Sequence, residues 1–171
     1  MMRQSRKRRP VLEGLETREL LSTVSVHGLA QVHPLTVSQI TQGTFSGNYK
    51  AVAPFPDAGS TYTFTGSGHV QNLGAVSLKG TAIQPGFVAT AISTGTLKLS
   101  NSHGTVVLNL KAKPTAGFAP LPTQYHYTVA NGTGSYHHLN GAGTLTLSLT
   151  PGVSSDPLTQ TGSFKMSLKK A

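Results

Sequence analysis

The sequence predicts an all-β protein: an antiparallel eight-stranded barrel, or as the alternative a β-sandwich, behind a disordered or short-helical N-terminal segment. Three observations carry this. From Gly43 onward, apolar and polar residues alternate with a period of two in one short run after another. No run there keeps a helical period, which removes α/β folds. The runs are separated by stretches rich in Gly, Pro, Asn and Asp, such as "PFPDAGS", "PTAGFAPLP" and "PGVSSDP". Short strands at even spacing with such turns build a barrel or a sandwich.

The elements follow in order. Residues 1–22 form a basic segment with a sorting or processing character. Arg3, Arg6, Lys7, Arg8 and Arg9 come first, without an acid among them, and Glu13, Glu16 and Glu19 follow. Val11 to Leu21 is amphipathic but too short to hold a helix alone. Its glutamates and Arg18 interrupt the apolar core that a secretory signal peptide needs. Residues 23–42 read as a linker with a short strand near its end. The barrel domain is residues 43–171.

Eight strand runs fill that domain. In 43–52, Phe45 faces away from Thr44 and Ser46, and in 61–70 Tyr62 and Phe64 alternate with threonines. Val76 and Leu78 mark 75–83, and Leu97 and Leu99 mark 95–100. Val106, Leu108 and Leu110 mark 104–112, and Tyr125, Tyr127 and Val129 mark 124–130. Leu145, Leu147 and Leu149 mark 144–149, and Phe164, Met166 and Leu168 mark 163–170. Each run is apolar on one face and Ser, Thr or Lys on the other, so the apolar faces should fill the interior.

Composition limits function. Charged residues make up 11% of the chain, against about 25% in an average domain. Ser and Thr stand where charges usually do, a composition suited to export. Cysteine is absent, which excludes disulfides, zinc–thiolate sites and cysteine nucleophiles. No run of about 18 apolar residues exists, so no transmembrane helix is expected. From Gly43 on, eight lysines meet two aspartates and no arginine.

Residues that could carry chemistry are few. Asp57 and Asp156 both lie in Pro/Gly-rich loops, where solvated carboxylates are the rule. No two of the seven histidines have the spacing that puts both on one strand face, and His137 and His138 point apart if extended. No metal ligand set, no cofactor site and no nucleophile elbow follows. Gly132-Thr133-Gly134 starts like a dinucleotide loop, but His137 stands where the third glycine belongs and a strand follows instead of a helix. Those glycines read as strand architecture: Asn131-Gly132 permits positive φ, and Gly141 and Gly143 bend the next strand. Asn131-Gly132-Thr133 also has the glycosylation spacing.

Two stretches resemble known families. Leu15, Glu16, Arg18, Leu20, Leu21 and Ser22, behind the basic cluster, resemble the N-terminal Leu-Glu-Pro-Arg-x-Leu-Leu motif of planctomycete surface and exported proteins, with Thr17 in the usual Pro position. The resemblance implies an exported chain at the cell surface or outside the cell. Val129, Gly132-Thr133-Gly134-Ser135-Tyr136 and Gly141 resemble the segment of dirigent and allene-oxide-cyclase-like barrels in which an aromatic turn plugs the barrel. That likeness implies Tyr136 as plug and Leu139 as its partner. Those families place acids inside the barrel, and the strands here carry none.

The function expected is therefore a non-catalytic exported or cell-surface barrel with a structural or binding role. One alternative is a barrel holding a small apolar ligand, isomerase-like or not, in a cavity lined by Tyr62, Phe64, Tyr125, Tyr127 and Tyr136. The second alternative is an anionic-polymer or nucleic-acid binder, which requires the lysines to gather on one face. Nucleic acid is disfavoured because no aromatics interleave with the arginines. Cell-surface components or a small apolar ligand are the partners left.

Overall fold

The computed structural model describes residues 39–40, 42–52, 59–86, 92–112, 121–153 and 155–171. The chain divides into two compact units, Met1–His33 and Pro34–Ala171. The first unit lies outside the described residues, and with it the short helix and the motif from Leu15 to Ser22.

The second unit is a closed antiparallel barrel of eight strands. They are β1 Gln42–Val52, β2 Ser60–Val70, β3 Gly74–Gln84, β4 Thr94–Asn101, β5 Gly104–Ala112, β6 Gln124–Gly132, β7 Ala142–Pro151 and β8 Thr159–Lys170. Every strand pairs with its sequence neighbours, and β8 closes onto β1 along the whole of β1, from Gln42 to Val52. Closure decides for the barrel over the sandwich, and it leaves no free sheet edge.

The register gives the barrel its stagger. Starting from Gln160 on β8, the ladder passes through Ala51, Tyr62, Ala82, Gly95, Leu110, Tyr127 and Gly143 and returns to β8 at Lys170, ten residues further on. An eight-stranded barrel has an interior just wide enough for side chains to fill or for one small ligand to share. Here side chains fill most of it. Leu78, Leu97, Leu99, Leu108, Leu145 and Leu168 are fully buried, along with Phe64, Phe164, Tyr125 and Tyr127. The Phe164 ring lies over two inward glycines: a Cβ at Gly47 or Gly66 would stand 3.0 Å from it.

Sidedness follows the period of two. Leu145 and Leu147 are buried, as are Phe164, Met166 and Leu168 opposite them, whereas Thr146 and Ser148 are exposed. Leu149, expected inside, is only partly buried at the strand end, and Thr144 is partly covered. The outer faces carry Thr, Ser and Lys, the reverse of a barrel that crosses lipid. No helix among the described residues is long and apolar enough to cross a membrane.

The two ends of the barrel differ. The connections β2–β3, β4–β5 and β6–β7 share one end, called here the tight end, where Gln71–Leu73 and Ser102–His103 are short turns. The connections β1–β2, β3–β4, β5–β6 and β7–β8 share the other, called the loop end.

The tight end is sealed. Tyr136 comes in from a single 3-10 turn, Gly134–Tyr136, and is 4% exposed. Its hydroxyl bonds with the Asn101 side chain, accepting from Nδ2 at 2.8 Å, and Asn101 Nδ2 also donates to the Leu73 carbonyl at 2.8 Å. Leu139 is buried beside it. Ile40 is 1% exposed in the same core, and Gln39 makes a parallel bridge with Asn140. The barrel thus draws in Ile40 from the stretch read as linker.

One local expectation fails. Gly132 does not take a positive φ; the left-handed residue is Gly134, at φ 61°. Gly132 serves close approach instead, because a Cβ there would strike the Tyr136 carbonyl. Strand β6 also slips register: Val107 pairs with Asn131 and Leu108 with Val129, so Ala130 bulges out before the chain turns into the plug.

Candidate functional site

Polar side chains inside the barrel gather toward the loop end. Strand β1 rises to Tyr49, β2 starts down through Tyr62, and β6 starts down through Tyr125. All three are inward positions of their strands, so closing the barrel aims them at one another. The Tyr49 and Tyr62 ring centroids are 6.2 Å apart, Tyr62 stacks with Phe64 at 6.5 Å, and Phe64 meets Phe164 edge-on at 5.4 Å. An aromatic wall therefore runs from β8 across β1 and β2.

Hydrogen bonding at this end is uneven. Ser93, just ahead of β4, is buried; its Oγ donates to the Ile83 carbonyl at 2.9 Å and lies 3.1 Å from the Tyr125 hydroxyl. By contrast the Tyr49 hydroxyl and Gln84 Oε1 are buried with no partner. The Tyr127 hydroxyl is unpartnered as well.

Electrostatics are set by burial. Burial pushes the Tyr125 phenol up to about 12; the Ser93 hydrogen bond pulls the other way and the nearby Tyr62 hydroxyl adds to the rise. Burial also raises Tyr62, with Tyr49 adding to it, and raises Tyr49 and Tyr127. All four phenols therefore stay neutral at physiological pH. Among the described residues, Ser93 is the one buried polar residue besides the tyrosines, and no Asp, Glu, His or Lys is buried.

The five residues expected to share one cavity do not all meet. Tyr62 and Tyr125 converge at the loop end, with Phe64 below Tyr62 in the wall. Tyr127 sits deeper, its ring against the β7 backbone at Gly143. Tyr136 seals the opposite end and cannot line the same space. Tyr49, Ser93 and Gln84 belong to the cluster but carried no signal beyond an inward strand position for Tyr49.

The remaining polar residues do not assemble a site. Asp156 accepts from the Leu158 amide at 2.9 Å, and that bond, with the Thr159 hydroxyl, holds its carboxyl below the usual range. Asp57 lies outside the described residues. His137 and His138 meet in a turn with ring centroids 3.7 Å apart and planes tilted by 45°, where extended chain would have separated them. No group of three or more His, Asp or Glu among the described residues could hold a metal. Lys50, Lys79, Lys98, Lys111, Lys165, Lys169 and Lys170 are all exposed and spread over β1, β3, β4, β5 and β8. Lys79 and Lys98 stand directly opposite each other, a repulsive pair with no acid in the row.

The Gly132–Gly134 stretch offers no phosphate cradle, because it opens a 3-10 turn of three residues that runs straight into the plug. No family model and no curated protein matches the chain. Among solved structures a pyocyanin demethylase is similar, with a TM-score of 0.46 and 16% identity, over 77% of this chain and 100% of that one.

Proposed function

We propose that this chain is an exported, non-catalytic β-barrel module that acts as a binding scaffold at the cell surface or outside the cell. The observation that carries the reading is the chemistry of the interior. Among the described residues its buried polar groups are the hydroxyls of tyrosine and of Ser93 and the amide oxygen of Gln84. General acid–base catalysis needs a group that titrates near the working pH. The tyrosines are pushed the wrong way for that, and no buried acid or histidine stands beside them among the described residues.

Export is supported by the motif Leu15, Glu16, Arg18, Leu20, Leu21 and Ser22 behind the basic cluster, and by a cysteine-free, charge-poor composition. The spread of the lysines favours a diffuse positive coat over a track for nucleic acid. Cell-surface components and small molecules are the partners this leaves. The test is to fuse residues 1–42 ahead of a fluorescent reporter in a planctomycete host and fractionate the cells. The reporter should leave the cytoplasm, and Arg18→Ala with Leu20→Ala should retain it. A reporter that stays cytoplasmic with the intact segment overturns the export reading.

A further inference from the structure

We propose that the loop end of the barrel binds a small uncharged molecule that has a flat apolar face and one hydrogen-bonding oxygen, held by Tyr49, Tyr62 and Gln84. The proposal deepens the scaffold reading above and rests on it.

Four observations lead there. The first is the pair of unpartnered atoms, Tyr49 Oη and Gln84 Oε1, both buried near the loop end. A buried polar atom without a partner costs about 1–3 kcal/mol, and folded proteins keep few of them. The second is that the same end satisfies its other buried hydroxyl fully: Tyr125 has Ser93, and Ser93 has the Ile83 carbonyl. The lack at Tyr49 and Gln84 is therefore local, not a general looseness of this end. Tyr127 differs in place: it stands two residues further from the loop end than Tyr125, fully buried in the closed middle of the barrel.

The third observation fixes the apolar part. Tyr49, Tyr62 and Phe64 form a continuous ring surface, and Tyr62 is only partly buried. At the same end Val52, Ile83, Val153 and Leu158 are exposed, Val52 and Ile83 flanking Thr61 on the outer face of their strands. The opposite end is shut by Ile40, Tyr136 and Leu139. The fourth observation fixes the charge. No charged side chain is buried among the described residues, so an ion entering here would lose its hydration with no counter-charge.

The test uses the full chain and three probes: 1-naphthol, naphthalene, which lacks the oxygen, and 1-naphthoate, which is charged at neutral pH. Binding is read from probe fluorescence. Naphthol should bind, naphthalene about tenfold more weakly, the worth of one net hydrogen bond, and naphthoate not at all. Y49F should bring naphthol down to the naphthalene level while leaving the urea midpoint equal or higher, because it deletes an unpartnered hydroxyl. Q84L is the second variant and should lower naphthol affinity in the same way. Absence of naphthol binding, equal binding of naphthol and naphthalene, or naphthol affinity unchanged in both variants overturns the proposal. Any of these results leaves the export measurement untouched, so failure of this site is distinct from failure of the scaffold reading.

Discussion

Replacing Gly143 by alanine should destabilise the barrel by about 2–4 kcal/mol, and the structure says where that loss arises. Gly143 is an inward, buried position on β7. A Cβ added there would strike the Lys169 carbonyl of β8 and stand 2.7 Å from Cε1 of Tyr127. Ordinary carbon contacts are about 3.5–4.0 Å, so the ring must retreat by roughly 1 Å. Tyr127 is fully buried and has nowhere to go without displacing its neighbours. Overpacking of this kind costs about 1–3 kcal/mol, and disturbing the β7–β8 ladder beside Lys169 adds about 1 kcal/mol. With a urea slope of about 2 kcal/mol/M, the midpoint should fall by about 1–2 M. A double-mutant cycle separates the two sources. In a Tyr127→Leu background, where the ring is gone, Gly143→Ala should cost about 1–2 kcal/mol less than in the parent. Gly141→Ala should show no such coupling, because the space beside Gly141 is open to 3.9 Å and its need is the φ of 138°. A midpoint shift of Gly143→Ala under about 0.3 M, or an equal cost in both backgrounds, would refute the idea that these glycines serve strand packing.

Two further outcomes follow from the burial pattern. A chain starting at Gly43 should be about 2–4 kcal/mol less stable than one starting at Pro34, because it lacks Ile40, which is 1% exposed in the core; equal thermal midpoints would show that Ile40 is not part of the fold. The raised tyrosines predict alkaline unfolding: the neutral phenols favour the fold, so their contribution is complete below about pH 10 and is lost as pH rises toward 12, with about 2–3 kcal/mol from Tyr125. Phenolate absorbance should then rise together with loss of the sheet signal, and free ionisation of Tyr49, Tyr62, Tyr125 and Tyr127 near pH 10 with the barrel intact would contradict their burial.

The eight strands were legible because each inner face had enough Leu, Val, Phe or Tyr to show the alternation. Strand ends were not, and glycine explains it. Strand β8 starts at Thr159, four residues before the alternating run at 163, because its first inward positions are Gln160 and Gly162. The same holds for Gly143 near the start of β7. Inward glycines also lie at Gly47, Gly66, Gly68 and Gly80, facing the rings and the leucine that fill the space above them. A glycine carries no hydropathy signal, so the sequence reads it as a turn when the barrel uses it as room. Register, which matches Phe45, Tyr49, Phe64, Tyr127 and Phe164 each to a glycine across the ladder, appears only once the sheet closes.

The candidate site was half legible, for a reason that lies in strand parity. In an up-and-down barrel the connections after odd-numbered strands share one end and those after even-numbered strands share the other. Tyr62 and Tyr125 sit near the starts of β2 and β6, so both belong to the end that follows odd strands. Tyr136 follows β6, an even strand, and belongs to the opposite end. Counting strands thus separates Tyr136 from the other tyrosines before any coordinate is known. The same count brings in Tyr49, near the finish of β1, an inward position four residues after Phe45. It cannot bring in Ser93 or Gln84. A serine in a connection and a glutamine at a strand end look like any other polar residue of this chain, and only closure turns Ser93 toward Tyr125 and leaves Gln84 Oε1 buried beyond reach of a partner. The aromatic half of the site is written in the alternation, while the polar half, which decides what could bind, exists only in the third dimension.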